Sequence, residues 1–314
     1  MIRPQPMIEL RRLFRIFGDT RAVDDVSFEV NAGQVFGYIG PNGAGKTTSM
    51  RILATLDLPT FGDAFVDGFS VINDPDRVRR RLGFMPDDFG TYPYVNCAEY
   101  LDFYARAYGL VGRERHRALR HVMGFTGLDR MAEKPIRGLS KGMKQRLCLG
   151  RSMIHDPSVL LLDEPAAGLD PRARIELRVM IRELAAGGKT VLVSSHILTE
   201  LAEICDQIGI IEQGRLLATG SVADIQKQFA PHRQIRARVL DRVADVAQWL
   251  SQRDDVSDVR VDGELLRFSH EGNRLQEAAL LKEMVQADFV VAEFASHEKS
   301  LEDVFLHVTQ GYVQ

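Results

Sequence analysis

The segment Gly40-Pro41-Asn42-Gly43-Ala44-Gly45-Lys46-Thr47-Thr48 constrains the chain more than any other. It follows the apolar run Gln34–Ile39, which reads as a buried strand, and precedes Lys46–Leu56, which reads as a helix. A glycine-rich turn between a buried strand and a helix belongs to α/β folds with a mostly parallel sheet. Its chemistry is anion binding. Glycines let backbone N–H groups turn inward, and the helix N-terminus adds partial positive charge. In such a P-loop, Lys46 reaches the β- and γ-phosphates of a nucleotide, and the Thr47 hydroxyl is a ligand for Mg²⁺.

A second element matches the first. Val159-Leu160-Leu161-Leu162 is an apolar strand that delivers Asp163 and Glu164 at its C-terminal end. Asp163 is placed to hold Mg²⁺, and Glu164, one residue on, to polarise an attacking water. Together the two elements indicate a nucleotide-binding ATPase or GTPase. A GTPase needs a guanine-specifying Asn-Lys-x-Asp strand end, and the chain has none.

Between them lies Leu139-Ser140-Lys141-Gly142-Met143-Lys144-Gln145-Arg146. It resembles the signature motif of the ABC ATPases, and the resemblance covers essentially the first 230 residues. The implied fold is an α/β P-loop cassette, residues 1–230, with a mixed sheet core and a helical subdomain at about 87–157. The resemblance implies further roles, residue by residue. Phe17 matches the aromatic that stacks on adenine, with a core phenylalanine as the alternative. Ser140 and Gly142 match the positions that touch the γ-phosphate held by a second subunit. Ala167-Gly168-Leu169-Asp170 resembles the D-loop, and His196, after Ser194-Ser195, the switch histidine. Three positions depart from the pattern. Lys141 and Met143 stand where the signature has glycine and glutamine. Asp87 stands where glutamine follows the Gly-aromatic-x-Pro run, here Gly83-Phe84-Met85-Pro86, and is a candidate ligand for Mg²⁺ or its water.

The remaining chain reads as a separate unit. After Ala230-Pro231, strand patterns at Arg236–Leu240, Val256–Val261, Leu265–Phe268 and Phe289–Phe294 alternate with helix patterns at Val243–Leu250 and Leu275–Val285. The order βαββαβ predicts a small α+β ferredoxin-like domain over 231–314. The segment Ser300-Leu301-Glu302-Asp303-Val304-Phe305 and the compact cassette resemble the type-2 exporters, which move drugs, lipids, polysaccharides or ions.

Composition excludes other classes. The formal net charge is −3 with signs mixed along the chain, so no nucleic-acid partner is expected. Cys97, Cys148 and Cys205 lack paired spacing and read as reduced thiols. The apolar runs are too short to span a bilayer, and no signal peptide is visible at Met1–Leu10. The resemblance therefore implies a homodimer sandwiching ATP and Mg²⁺. It would sit at the cytoplasmic face of a membrane and drive a separately encoded permease. The alternative is a non-transport ABC ATPase acting on DNA or ribosomes. Against it stand the single cassette and the short span between P-loop and signature, which leaves no room for coiled-coil arms.

Overall fold

The computed structural model describes residues 5–88, 90, 92, 94–197, 201, 203–229 and 233–297. The type-2-like segment Ser300–Phe305 lies outside them. The chain divides into two compact units, Met1–Val222 and Ala223–Gln314.

The first unit holds two sheets. In one, β1 (Ile8–Phe17), β2 (Thr20–Val30), β4 (Phe61–Val66) and β5 (Phe69–Ser70) pair antiparallel in the order β2-β1-β4-β5. Alternation in β2 buries Val26, Phe28 and Val30 and leaves Ser27 and Glu29 in water, as one wet face requires. The other sheet contains β3 (Val35–Ile39), β6 (Leu82–Met85), β7 (Val159–Leu162), β8 (Thr190–Ser195), β9 (Gln207–Glu212) and β10 (Arg215–Gly220). Its order is β10-β9-β3-β8-β7-β6, parallel throughout except for the β9–β10 hairpin. Every residue of β3, β7 and β8 is buried, which is why β3 and β7 read as apolar runs rather than alternating ones.

Three of this unit's helices start where a side chain satisfies a free N–H group. Helix α1 (Lys46–Leu53) follows the P-loop and ends three residues short of the predicted Leu56, because the chain turns to positive φ at Thr55. Helix α2 is Pro75–Arg81, and α4 is Gly112–Thr126. Helix α3 (Cys97–Ala107) starts with a reciprocal capping box: Asn96 accepts from the Glu99 N–H at 2.8 Å, and Glu99 accepts from the Asn96 N–H at 3.0 Å. Helix α5 (Lys141–Met153) is capped by Ser140, and α6 (Pro171–Ala186) by Asp170 with proline in its first turn. Arg151 of α5 donates to the Phe84 carbonyl at 3.3 Å, tying the helix that begins at the signature to the strand that leads to Asp87.

The second unit contains α7 (Val222–Phe229), β11 (Arg233–Val239), α8 (Val243–Ser251), β12 (Val256–Asp262), β13 (Leu265–His270), α9 (Arg274–Gln286) and β14 (Val291–His297). Its sheet is antiparallel in the order β12-β13-β11-β14, the ferredoxin-like arrangement. Ile235, Ala237, Val239, Leu266 and Phe268 pack against Val246 and Leu250 of α8 and Leu280 and Met284 of α9. The last strand begins at Val291 rather than Phe289, whose ring instead packs edge-on against Trp249, with centroids 5.8 Å apart.

Candidate functional site

The P-loop leaves no space for side chains where it passes its neighbours. A Cβ on Gly40 would stand 2.1 Å from the Ile211 carbonyl oxygen, and one on Gly45 2.3 Å from that of Ala22. Gly45 also lies at φ 105, so it turns the chain into α1 in a conformation other residues resist. Lys46, first in α1, is 5% exposed. Its ammonium donates to the Gly40 carbonyl at 2.6 Å and the Pro41 carbonyl at 3.2 Å, and lies 3.3 Å from Glu164 Oε1. Thr47 is exposed beside it, and Thr48 half-buried; Asn42 and Gly43 face solvent, while Ala44 packs inward.

Strand β7 carries Asp163 and Glu164 to the same place. Asp163 is buried, and its backbone N–H donates to the Met85 carbonyl at 2.8 Å. The Ser194 hydroxyl donates to Asp163 Oδ1 at 2.6 Å and accepts from the Glu164 N–H at 2.8 Å. Burial raises the Asp163 pKa above the usual carboxylate range; hydrogen bonds from Ser194 and Thr47 oppose this, and the charges of Glu164 and Asp87 add to it. Glu164 sits at φ 46, a conformation that costs a non-glycine residue energy and aims its side chain back at the loop. Its second oxygen accepts from His196 Nδ1 at 2.8 Å, so that nitrogen carries the proton.

Lys46, Thr47, Asp163, Glu164 and His196 thus converge at the C-terminal ends of β3, β7 and β8. Asp87 is exposed just past β6, close enough for its charge to act on Asp163. Asp163 Oδ2 is buried without a hydrogen-bond partner, and the Thr47 hydroxyl is close enough to the Asp163 carboxyl to act on it. Among the described residues no three His, Cys, Asp or Glu side chains form a ready-made metal cage. One carboxylate oxygen and one hydroxyl suit Mg²⁺, a hard cation that keeps several waters and takes phosphate oxygens.

The signature segment lies elsewhere. Ser140 accepts from the Met143 N–H at 3.3 Å, and a Cβ on Gly142 would be 3.2 Å from that of Ala173 in α6. The Lys141 side chain lies over Gly168, in the space a side chain there would fill. Asp170 accepts from the Ala173 N–H at 2.9 Å. Ser140, Gly142, Arg146, Asp170 and Glu176 border a cavity of about 220 Å³. Among the described residues, no hydrogen bond or ion pair joins this group to residues 40–48. Phe17 is no core residue. It is 47% exposed, at the end of β1 where the chain turns into β2, with the Arg15 guanidinium 4.2 Å from its ring centroid.

Sequence reasoning gave Ser194 no role. A serine at the end of a buried strand has many uses. Only the β7–β8 register, Leu162 opposite Val193, puts it beside both acidic residues.

A P-loop, an acidic strand end, a strand-end histidine and a helix starting at a Ser-x-Gly signature define an ATP-binding cassette. Comparison with known proteins agrees. The family described as ABC transporter matches residues 23–167, and the C-terminal domain of DrrA1-3-like ATP-binding proteins matches 220–309. The daunorubicin/doxorubicin resistance ATP-binding protein DrrA of Streptomyces peucetius is 33% identical over 310 residues, covering 98% of this chain and 93% of that protein. The probable multidrug ABC transporter ATP-binding protein YbhF of Escherichia coli (strain K12) is 37% identical over 230 residues. That alignment covers 73% of this chain but 40% of YbhF, so the chain matches less than half of that relative. A solved ATP-binding subunit of an ABC transporter superposes with a TM-score of 0.65 at 32% identity, covering 71% of this chain and 93% of that one. The chain belongs to the ABC transporter family of ATP-binding proteins.

Proposed function

We propose that this chain binds and hydrolyses ATP as the motor subunit of an exporter, working as a homodimer on a separately encoded permease at the cytoplasmic membrane face. The observation that carries the reading is the convergence of Lys46, Thr47, Asp163, Glu164 and His196 at one sheet end. Lys46 would exchange its carbonyl and carboxylate contacts for the β- and γ-phosphates. Thr47 and Asp163 would hold Mg²⁺, which supplies neutralising charge when bound; Asp87 would act on that ion or its water from the rim. Glu164, fixed by Ser194 at its N–H and by His196 at its carboxylate, orients water for attack and takes its proton. Phe17 offers an exposed ring for the adenine.

The separation of Ser140, Gly142 and Asp170 from the P-loop supports a sandwich. Each nucleotide would lie between one subunit's P-loop and its partner's signature. Among the described residues no helix is long and apolar enough to cross a membrane, so translocation is assigned to the permease. The relatives' names, multidrug transport and drug resistance, favour export.

The test is ATP hydrolysis by the purified chain, wild type against Lys46→Ala. Removing the buried counter-charge should abolish tight Mg·ATP binding. Normal binding by that variant would overturn the P-loop assignment. Co-purification of a polytopic membrane protein with the tagged chain is the expected sign of the permease.

A further inference from the structure

The second unit carries a row of arginines that its own fold leaves unanswered. Arg260 of β12 stands directly opposite Arg267 of β13, and Arg267 opposite Arg236 of β11. Residues paired this way share one face of the sheet. Leu266, Phe268, Ile235 and Ala237 take the face toward α8 and α9, so the arginines take the other. Arg260 and Arg267 are exposed and Arg236 half-buried, with its Nε buried and lacking a hydrogen-bond partner. None of the three has an ion-pair partner among the described residues. Past Arg236 the row ends at Ala295 of β14, a side chain too small to screen it.

Like charges directly opposite on neighbouring strands destabilise a sheet. The same face shows how such a charge is answered. Arg238, two residues along β11, is flanked by Glu293 at 3.4 Å and Glu264 at 3.8 Å. The row itself has no such carboxylates, although this half of the chain holds more acidic than basic residues.

We infer that the Arg236–Arg267–Arg260 row is a docking site for an acidic helix of a protein partner. Three features choose this occupant. The guanidinia stem from adjacent strands, at intervals of about 4.8 Å, close to the rise of about 5.4 Å per helical turn. Carboxylates one turn apart therefore match the row. The surface is a sheet face rather than a cleft, so the three charges do not converge on a single phosphate. Finally, Glu264, Glu293 and Asp262 rim the row, and they would repel a broad polyanion such as an anionic bilayer, which calls for a larger basic cluster.

The test uses the full chain and a synthetic helical peptide with glutamate at one-turn spacing, against the same peptide with glutamine. Binding is followed by fluorescence anisotropy across a salt titration. The glutamate peptide should bind more tightly, and less so as salt rises. The triple variant R236Q/R260Q/R267Q should weaken it about tenfold, the sum of three ion pairs near the surface. R238Q, whose charge is already answered, should change little. R267Q alone should melt no lower than wild type, since it removes an opposed like charge, and still show a partial loss; this keeps the test decisive if the triple variant misfolds. ATP hydrolysis should be unaltered. Equal affinity for the two peptides, or no loss in R267Q and the triple variant, would overturn the inference. So would row-dependent binding to phosphatidylglycerol vesicles without peptide binding, which would assign the row to lipid.

Discussion

The Lys46 ammonium lies 3.3 Å from Glu164 Oε1, so the two groups the proposed reaction needs most are paired with each other across the site. Neither group is exposed: their side chains are 5% and 12% accessible. A charge so enclosed must be answered. The pair answers both charges; a phosphate binding Lys46 would free Glu164 for water, with His196 still holding its other oxygen.

Glu164→Gln should therefore separate binding from turnover. The glutamine no longer competes for Lys46, so nucleotide affinity should hold or rise. Hydrolysis should fall about a hundredfold or more, the usual worth of a general base. Size-exclusion chromatography should show an ATP-bound dimer that the wild type does not accumulate. A variant that hydrolyses ATP at the normal rate would remove Glu164 from the mechanism.

Ser194→Ala tests the residue that sequence reasoning passed over. Its hydroxyl fixes Asp163 from one side and the Glu164 backbone from the other. Without it, Asp163 loses an orienting donor and the Glu164 N–H loses its acceptor. Metal-dependent activity should drop about tenfold or more, as when outer partners of a metal ligand are lost. A Mg²⁺ titration of hydrolysis should shift to higher concentration, and Ser194→Thr should restore part of it. An unchanged titration would leave Ser194 a packing residue.

The cassette was legible because its chemistry sits in contiguous runs. Residues 40–48 and 159–164 each carry a strand, a turn and their functional side chains within a few positions. What stayed hidden depends on pairing across distance. Whether Phe17 was core or surface could not be read from one strand, since it turns on where the β1–β2 hairpin places the ring. The arginine row is likewise invisible along the chain: Arg236, Arg260 and Arg267 become neighbours only through the β12-β13-β11 register. The helix end at Leu53 escaped notice because Thr55 takes a positive φ that its residue type does not advertise.

His155 should give the fold a pH dependence of its own. Its ring stacks on Tyr108 with centroids 3.7 Å apart, and Nε2 donates to the Leu82 carbonyl at 3.2 Å. Nδ1 is buried with no partner, so the neutral form fits and the charged form does not. Burial lowers the pKa from 6.5 to about 4. For a base whose folded pKa is depressed, the unfolded chain takes up protons first as pH falls. Stability is thus fully present above 6.5 and is lost progressively down to about 4. The cost comes to about 3 kcal/mol at most. Urea unfolding across that window should show a shallower decline in His155→Gln, which cannot titrate. Parallel curves for the two proteins would mean the ring is solvated.

Asp87 is where the chain departs from its family's pattern, and its surroundings say what that departure should do. It follows Pro86 just beyond β6, and Met85 at the end of that strand accepts from the Asp163 N–H at 2.8 Å. The loop and the acidic strand end are thus neighbours, and the Asp87 charge opposes ionisation of Asp163. Aspartate is shorter than glutamine and carries a charge, so it does not simply replace it. With Mg²⁺ bound, that charge has a natural partner in the ion or its water. Without the ion it would face Asp163, Glu164 and a bound γ-phosphate, and like charges that close would resist closure. Asp87 should therefore make closure depend more steeply on Mg²⁺, while the loop carries the signal to the permease. Asp87→Ala should leave ATP affinity within a few-fold of wild type but blunt permease-stimulated hydrolysis and flatten its Mg²⁺ dependence. Asp87→Gln should retain more stimulation than Asp87→Ala, because the amide keeps hydrogen-bonding capacity without the charge. Hydrolysis by the reconstituted complex across a Mg²⁺ titration decides it. If both variants follow the wild-type curve throughout, Asp87 is a solvated loop residue, and coupling to the permease runs through other side chains.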